Sequence, residues 1–315
     1  MLPFYRLVCF LLFSILASGC VMEAFRDSAI ERTEKAIELT STPFYPQSRY
    51  QCGPASLATL LNTAGLDTDP DQLVADVYLP YRKGTLQIEM IAAVRRYGLV
   101  PYQPAHDIES IIHQLKHDIP VLVLLNLGLK ALPAYHYAVV IGYDPGTDVV
   151  IMRSGTDYRL LMRRLRFLSA WHKSGSWALT VLEPGKLPPA IDLERYLSSV
   201  IALESVGQWR SAELSYRAVL RQWPANILAR FGLANSLRGL GKLEQAAAQY
   251  SNVLKLDENH KPARNNLADT LLRLGRCDDA SAAIEQVVIR NGLTSAIDKA
   301  VEITRSEIKS TCFQS

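Results

Sequence analysis

The chain has 315 residues, of which 49% are hydrophobic and 21% are charged. This composition is typical of globular proteins, so it excludes a mainly disordered chain, and the length suits about two domains. The 34 basic and 31 acidic side chains give a formal net charge of +3. That charge is too small for the basic surface of a sequence-independent nucleic-acid binder. Five cysteines are too few for a disulfide scaffold of this length, so each is interpreted from its neighbours.

The amino-terminal segment has the pattern of a secretion signal. Residues 7–17 form an apolar run in which only Ser14 is polar, and Arg6 precedes the run. A membrane-spanning helix takes ~20 residues, so this run is too short to span, but it matches the core of a signal peptide. We therefore expect residues 1–19 to be a signal peptide. A soluble secreted protein and a helix that stays uncut are the alternatives.

The sequence Ala-Ser-Gly-Cys at residues 17–20 resembles the bacterial lipobox, with alanine where leucine is usual. The resemblance implies that Cys20 carries diacylglycerol and becomes the first residue of the mature chain, with residues 20–42 as a tether. Val21 follows the cysteine, at a place where aspartate favours retention in the inner membrane. We therefore expect a lipid anchor in the outer membrane of the bacterial cell envelope, facing the periplasm.

Residues 43–183 show helical patterns first and strand patterns after them. Glycines at 65 and 98 end apolar residues at helical spacing, and later apolar runs flank a Pro-Gly turn at residues 145–146. The basic segment 159–166 suits either a helix or a strand edge. The predicted helices cover residues 54–64, 70–78, 86–97 and 108–117, and the predicted strands cover 119–127, 137–143, 149–152 and 177–182. This order predicts an α+β domain.

Cys52 is the candidate nucleophile. Gly53 and Pro54 follow it, and since proline favours the first position of a helix, Cys52 is expected just ahead of one. Unpaired backbone amides and the helix dipole stabilise a thiolate at such a place. Gly53 allows a substrate carbonyl to approach the backbone, and the amide of Cys52 and the side chain of Gln47 are candidate oxyanion donors.

His136 is the candidate general base, because it alone of the six histidines opens a predicted strand. If the following hairpin turns at residues 145–146, the residue opposite His136 falls near Gly155. Ser154 and Asp157 are then the candidates for the third member of a triad. A hydroxyl at this place orients the ring, but it lacks the charge by which a carboxylate stabilises an imidazolium.

These residues carry a resemblance to a known family. Gln47, the Cys-Gly-Pro-Ala run from Cys52 and the strand that leads from His136 into Gly-Tyr-Asp resemble the bacteriocin-processing, double-glycine leader peptidases, a papain-like family of cysteine proteases. The resemblance covers about residues 43–183. It implies a papain-like fold with Cys52 as nucleophile, His136 as base and Gln47 as oxyanion donor.

The sequence departs from this family at two places. The family's glutamine usually stands one residue further upstream, which leaves Gln51 or a backbone amide as alternative oxyanion donors. The family has an aspartate where the hairpin register places Arg153 or Ser154. Ser154 is therefore the expected ring partner, with Asp157 in reserve.

The carboxy-terminal third repeats with a period of 34 residues, and five columns recur in register. The glycine column is expected to end a first helix, and the alanine column lets a second helix pack closely against it. The pattern resembles the tetratricopeptide repeat, which implies an all-α solenoid of three copies over residues 192–291 and a capping helix or tail over 292–315. The two columns are Gly207, Gly241 and Gly275, and Ala212, Ala246 and Ala280.

A proline-rich linker at residues 184–191 is predicted between the two domains. In an oxidising compartment Cys277 and Cys312 can join the tail to the last repeat, and two separate thiols are the alternative. Solenoids of this kind bind peptides or partner proteins, although a role in packing or dimerisation is equally compatible with three repeats.

The combined prediction is a lipid-anchored cysteine peptidase that hydrolyses peptide bonds, with repeats that bind a partner or substrate. Two alternatives are a non-catalytic peptide-binding scaffold and an acyl transferase that uses the same dyad. We expect no nucleotide, because no G-x-x-x-x-G-K-S/T run occurs. We also expect no cofactor or metal, because His113 and His117, spaced as metal ligands can be, have no third ligand near them in the sequence.

Overall fold

The computed structural model describes residues 35–47, 51–287 and 295–313. The expected signal peptide and the lipidation site Cys20 lie outside these ranges. Within them, no helix combines the length and the apolar character that crossing a membrane requires.

The described residues of the first domain form nine strands and five helices. The strands are β1 Ile37–Glu38, β2 Tyr78–Leu79, β3 Gly84–Thr85, β4 Val100–Tyr102, β5 Val121–Asn126, β6 Tyr135–Asp144, β7 Val149–Ser154, β8 Asp157–Arg163 and β9 Ala178–Leu182. The helices are α1 Cys52–Thr63, α2 Pro70–Val77, α3 Gln87–Arg96, α4 Ile108–Leu115 and α5 Arg164–His172. A 3₁₀ turn at Pro80–Arg82 connects β2 to β3.

An antiparallel sheet in the order β4-β9-β5-β6-β7-β8, with β1 paired to β6, forms the centre of this domain. All six residues of β5 are buried, because both faces of the sheet are covered. Successive side chains of a strand point to opposite faces. Accordingly, Leu122 and Leu124 join the core formed with α1, α2 and α3. Val121, Val123 and Leu125 join the core formed with α4 and α5.

The second domain is a stack of helices. They are α6 Leu193–Glu204, α7 Trp209–Gln222, α8 Ile227–Gly239, α9 Leu243–Leu256, α10 Lys261–Arg273, α11 Cys277–Glu285 and α12 Ala296–Cys312. Gly207, Gly241 and Gly275 have positive φ angles of 76°, 73° and 70°, the left-handed conformation that ends a helix at glycine. This agrees with the helix stop predicted from the glycine column.

Close packing within the stack depends on small residues. A Cβ atom on Gly232 of α8 would lie 2.2 Å from Cζ of Tyr216, whose side chain is fully buried. A disulfide links Cys277 at the start of α11 to Cys312 at the end of α12, with 5.6 Å between the two Cα atoms. Of the two alternatives for these cysteines, the structure therefore has the disulfide.

The two domains share one hydrophobic core across the predicted linker. Val100 and Tyr102 of β4 belong to the same buried cluster as Tyr196 and Val200 of α6. The Tyr102 hydroxyl also accepts a hydrogen bond from the backbone N–H of Asp192, at 3.1 Å. Helix α6 thus packs against the edge of the sheet.

Candidate functional site

Cys52 is the first residue of α1, and Gln51 is its N-cap. The expectation that Cys52 precedes the helix, with Pro54 as the first helical residue, is therefore wrong by two positions. The turn into the helix is crowded: a Cβ atom on Gly53 would lie 2.3 Å from Oγ1 of Thr85. Glycine is consequently the residue that lets β3 pack against the start of α1 beside the cysteine.

The Cys52 thiol is partly buried, and this burial raises its pKa above the ordinary value of 9.0. Backbone N–H groups of Tyr137, Gly53 and Cys52 itself act in the opposite direction, since they favour the thiolate, but the net shift is upward. The start of a helix favours a thiolate, but burial outweighs this effect at Cys52, so the expected lowering of its pKa is absent.

The imidazole of His136, the second residue of β6, lies next to Ser154 at the end of β7. Its Nε2 is 2.9 Å from the Ser154 Oγ. Burial lowers the pKa of His136 below its ordinary value of 6.5, and the Ser154 hydroxyl carries no charge that would offset this effect. Asp157 is exposed at the start of β8, and it is Ser154 that contacts the ring.

The hairpin register differs from the expected one. β6 and β7 pair Asp144 with Val149 at the turn, but a bulge between Val140 and Gly142 shifts the pairing so that Val139 lies opposite Arg153. If this register is extended to His136, Thr156 falls opposite it, one residue beyond the predicted Gly155. The hydrogen bond between Ser154 and the ring is nevertheless the one anticipated from the sequence.

Gln47 lies at the same cleft as Cys52 and His136. Its backbone N–H donates to the carbonyl of Gly155 at 3.0 Å, and its side-chain amide nitrogen is 3.5 Å from the Ser56 Oγ on α1. Both Gln47 and Cys52 line one cleft, whereas Gln51 is not among its lining residues. The structure thus gathers Gln47, Cys52 and His136 at one opening, with Ser154 behind the ring.

The cleft has a volume of about 810 Å³. Arg82 and Lys83 are the charged residues among the described lining residues, and both are basic. They lie at the tip of the β2–β3 hairpin, which was not predicted from the sequence. The Tyr137 hydroxyl donates to the carbonyl of Thr85 at 3.2 Å and ties this hairpin to β6. The lining residues are Gln47, Cys52, Arg82, Lys83, Gly84, Thr85, Leu86, Gln87, Leu124, Tyr135, His136, Tyr137, Gly155, Thr156 and Ser174.

Alkylation of Cys52 by iodoacetamide should reflect the raised thiol pKa. Because the thiolate is the reactive form, the rate in the folded, non-reduced protein is expected to be below that of the same cysteine in the urea-unfolded chain at pH 7.5. The rate of alkylation should still increase as the pH is raised beyond 9. The measurement is the modified fraction of the peptide that contains Cys52, by mass spectrometry. A rate that is already at its plateau between pH 5 and 8 would indicate a preformed thiolate–imidazolium pair and contradict the prediction.

Each of the two parts of the chain matches a known protein family. Residues 39–178 match the Peptidase_C39 like family, and residues 198–261 and 237–301 match tetratricopeptide repeats. The chain therefore has a sheet-containing, papain-like domain followed by a helical repeat region. More specifically, it combines a C39-like peptidase domain with tetratricopeptide repeats, and the predicted fold class and resemblance are confirmed.

Solved structures with similar folds cover one part of the chain each. A C39-like peptidase from Bacillus anthracis is 19% identical, covering 48% of this chain and 98% of its own, with a TM-score of 0.42. The peptidase domain of Streptococcus ComA is 22% identical, covering 45% and 98%, with a TM-score of 0.36. The Yersinia enterocolitica chaperone SycD is 17% identical, covering 38% and 83%, with a TM-score of 0.35. No curated protein matches the chain.

Proposed function

We propose that this protein is a cysteine peptidase that hydrolyses peptide bonds through Cys52 and His136. The observation that carries the proposal is the single cleft lined by Cys52, His136 and Gln47, with Ser154 at 2.9 Å from the His136 ring. The match of residues 39–178 to the Peptidase_C39 like family supports the same activity.

Acylation starts from a neutral thiol and a neutral imidazole. In the tautomer whose Nε2–H donates to the Ser154 Oγ, the other ring nitrogen, Nδ1, takes the proton of Cys52 as its sulfur attacks the scissile carbonyl carbon. The S–C bond forms and the carbonyl oxygen becomes an oxyanion, which the amide of Gln47 and the backbone N–H of Cys52 stabilise. The C–N bond then breaks, and the imidazolium of His136 gives its proton to the leaving amine.

Deacylation reverses these roles. His136 takes a proton from a water molecule, whose oxygen attacks the thioester carbonyl carbon, and the same donors stabilise the second oxyanion. The C–S bond breaks, the proton returns from His136 to the sulfur of Cys52, and the carboxylic acid product leaves. Because Ser154 carries no charge, each imidazolium intermediate is less stabilised than beside a carboxylate.

The remaining parts of the proposal concern location and delivery. The lipobox-like residues before Cys20 support a lipid-anchored protein of the cell envelope that faces the periplasm. The tetratricopeptide repeats support binding of a partner protein or of the substrate chain, because such repeats present an extended concave surface.

A second candidate function is binding of a peptide without cleavage. Two observations favour it: burial raises the pKa of the Cys52 thiol, and His136 has a hydroxyl partner in place of a carboxylate. Both disfavour the charged pair that makes a cysteine a strong nucleophile. This candidate keeps the cleft and the repeats as two binding surfaces.

Peptide profiling of the purified protein against its Cys52→Ala variant distinguishes the two functions. A peptidase releases product peptides with the native chain and none with the variant, and it forms a thioester at Cys52 that mass spectrometry detects before hydrolysis. If both proteins retain the same peptides and neither cleaves them, the peptidase proposal is wrong and the binding function stands.

A further inference from the structure

Arg153 carries a buried positive charge that the proposed reaction does not use. Its side chain lies next to the site residue Ser154 along β7, and only 2% of the residue is exposed. Ser154 contacts the His136 ring, whereas the hydrogen-bond partners of Arg153 lie on residues 40, 42 and 158. Burial of a charge requires hydrogen-bond partners, and these partners reveal what the side chain does.

The guanidinium of Arg153 donates to backbone carbonyls. Its Nη2 is 3.1 Å from the carbonyl oxygen of Thr40 and 3.0 Å from that of Thr42. Its Nε is 3.3 Å from the Thr42 oxygen, and its Nη1 donates to the carbonyl of Tyr158. The guanidinium carbon also lies 3.7 Å from the centre of the Tyr158 ring, a cation–π contact. Arg153 thus joins two segments that are far apart in sequence.

One of these segments is residues 39–47, which we call the strap. At one end of the strap, the backbone N–H of Leu39 donates to the carbonyl of Ile141 at 2.8 Å. At the other end, the backbone N–H of Gln47 donates to Gly155 at 3.0 Å. Between these two bonds, the strap has no regular secondary structure, and Arg153 binds the carbonyls of Thr40 and Thr42 in its amino-terminal half. The strap ends at Gln47, which is one of the residues that line the cleft.

We propose that Arg153 is a positioning residue that holds the strap so that Gln47 reaches the oxyanion of the reaction. This inference rests on the proposed peptidase function for its effect on rate, but the hold on the strap can be measured independently. Arginine is suited to this role because its planar group presents several donors in fixed directions. Lysine has a single ammonium group and cannot reproduce the same set of bonds to Thr40, Thr42 and Tyr158.

The test compares Arg153→Met with the native protein by hydrogen–deuterium exchange and by kinetics. We expect the peptide that covers residues 39–47 to exchange at least about tenfold faster in the variant, because the strap opens locally when its charge-assisted hydrogen bonds are removed. We expect kcat to fall about 10²- to 10³-fold, as on loss of one oxyanion donor, with little change in KM. Gln47→Ala should give a similar fall, and the double variant should fall no further.

Arg159→Gln is the matched control, since Arg159 pairs with Glu38 at the protein surface at 2.8 Å and does not bind the strap carbonyls. It should leave exchange of the strap and kcat near native values. If Arg153→Met does not fold, Arg153→Lys serves in its place, with a smaller increase in exchange and a smaller fall in kcat. Unchanged exchange in a folded variant overturns the proposal, as does a double variant whose losses multiply. If the native protein cleaves nothing, the peptidase function fails, and the exchange measurement still decides whether Arg153 holds the strap.

Discussion

Replacement of His136 by alanine is expected to lower kcat for peptide hydrolysis by about 10²- to 10⁴-fold, the range typical for loss of a general acid–base group. The physical reason is that the Cys52 thiol has a pKa raised by burial, so it depends on the imidazole to remove its proton. Ser154→Ala should cost much less. Its hydroxyl orients the ring at 2.9 Å but adds no charge to stabilise the imidazolium.

Steady-state kinetics on a peptide identified by the profiling experiment measure both variants, with Asp157→Asn as the matched control. Asp157 is exposed on β8, and its replacement should leave kcat near the native value. A Ser154→Ala variant as inactive as His136→Ala would show that the hydroxyl controls the ring more strongly than we infer. Loss of activity in Asp157→Asn would instead assign the third position to that carboxylate.

The placement of Cys52 and His136 at one cleft was predictable because each candidate residue has a local signature. Cys52 precedes a glycine and a proline at the start of a helix, and His136 opens an apolar strand that runs into a Pro-Gly turn. The directions in which their pKa values shift were not predictable. They depend on burial against segments distant in the sequence, as in the contact of Thr85 with the start of α1.

The β2–β3 hairpin and the strap escaped sequence reading for a related reason. Strands of two residues, such as β2 and β3, are too short to show alternation of apolar and polar side chains. The basic segment 159–166, left open between helix and strand, divides into the end of β8 and the start of α5 at Arg163–Arg164. The role of Arg153 is visible only when the contacts with Thr40 and Thr42 are known.

The repeats were the most predictable part, because the same residue types recur every 34 residues. In each repeat they mark where the first helix ends and where the second helix packs closely. How the repeats pack against the first domain was not predictable from the sequence. The strand that α6 contacts, β4, is only three residues long and shows no recognisable pattern. The shared core around Tyr102 and Tyr196 means that the segment at residues 184–191 does not separate two independent bodies. The cleft and the repeat surface are therefore held in a fixed relation.

This coupling predicts the behaviour of Tyr196→Ala in thermal or urea unfolding. Tyr196 on α6 is fully buried, and its hydroxyl donates to the carbonyl of Lys186 at 3.1 Å. Removal of a large buried aromatic side chain typically lowers the free energy of unfolding by about 3–5 kcal/mol. Because α6 packs against β4, we expect probes in both domains to report this loss in one shared transition.

Tyr196→Phe is the matched control. It keeps the ring in the core and removes the hydrogen bond to Lys186, so it should cost only about 1 kcal/mol. Tryptophan fluorescence does not separate the domains, since Trp171 and Trp177 lie in the first domain and Trp209 and Trp223 in the second. Hydrogen exchange of peptides from β5 and from α8 provides a probe for each. If Tyr196→Ala destabilises α8 while β5 keeps its native protection, the domains unfold independently, and the cleft and the repeats are not coupled through this core.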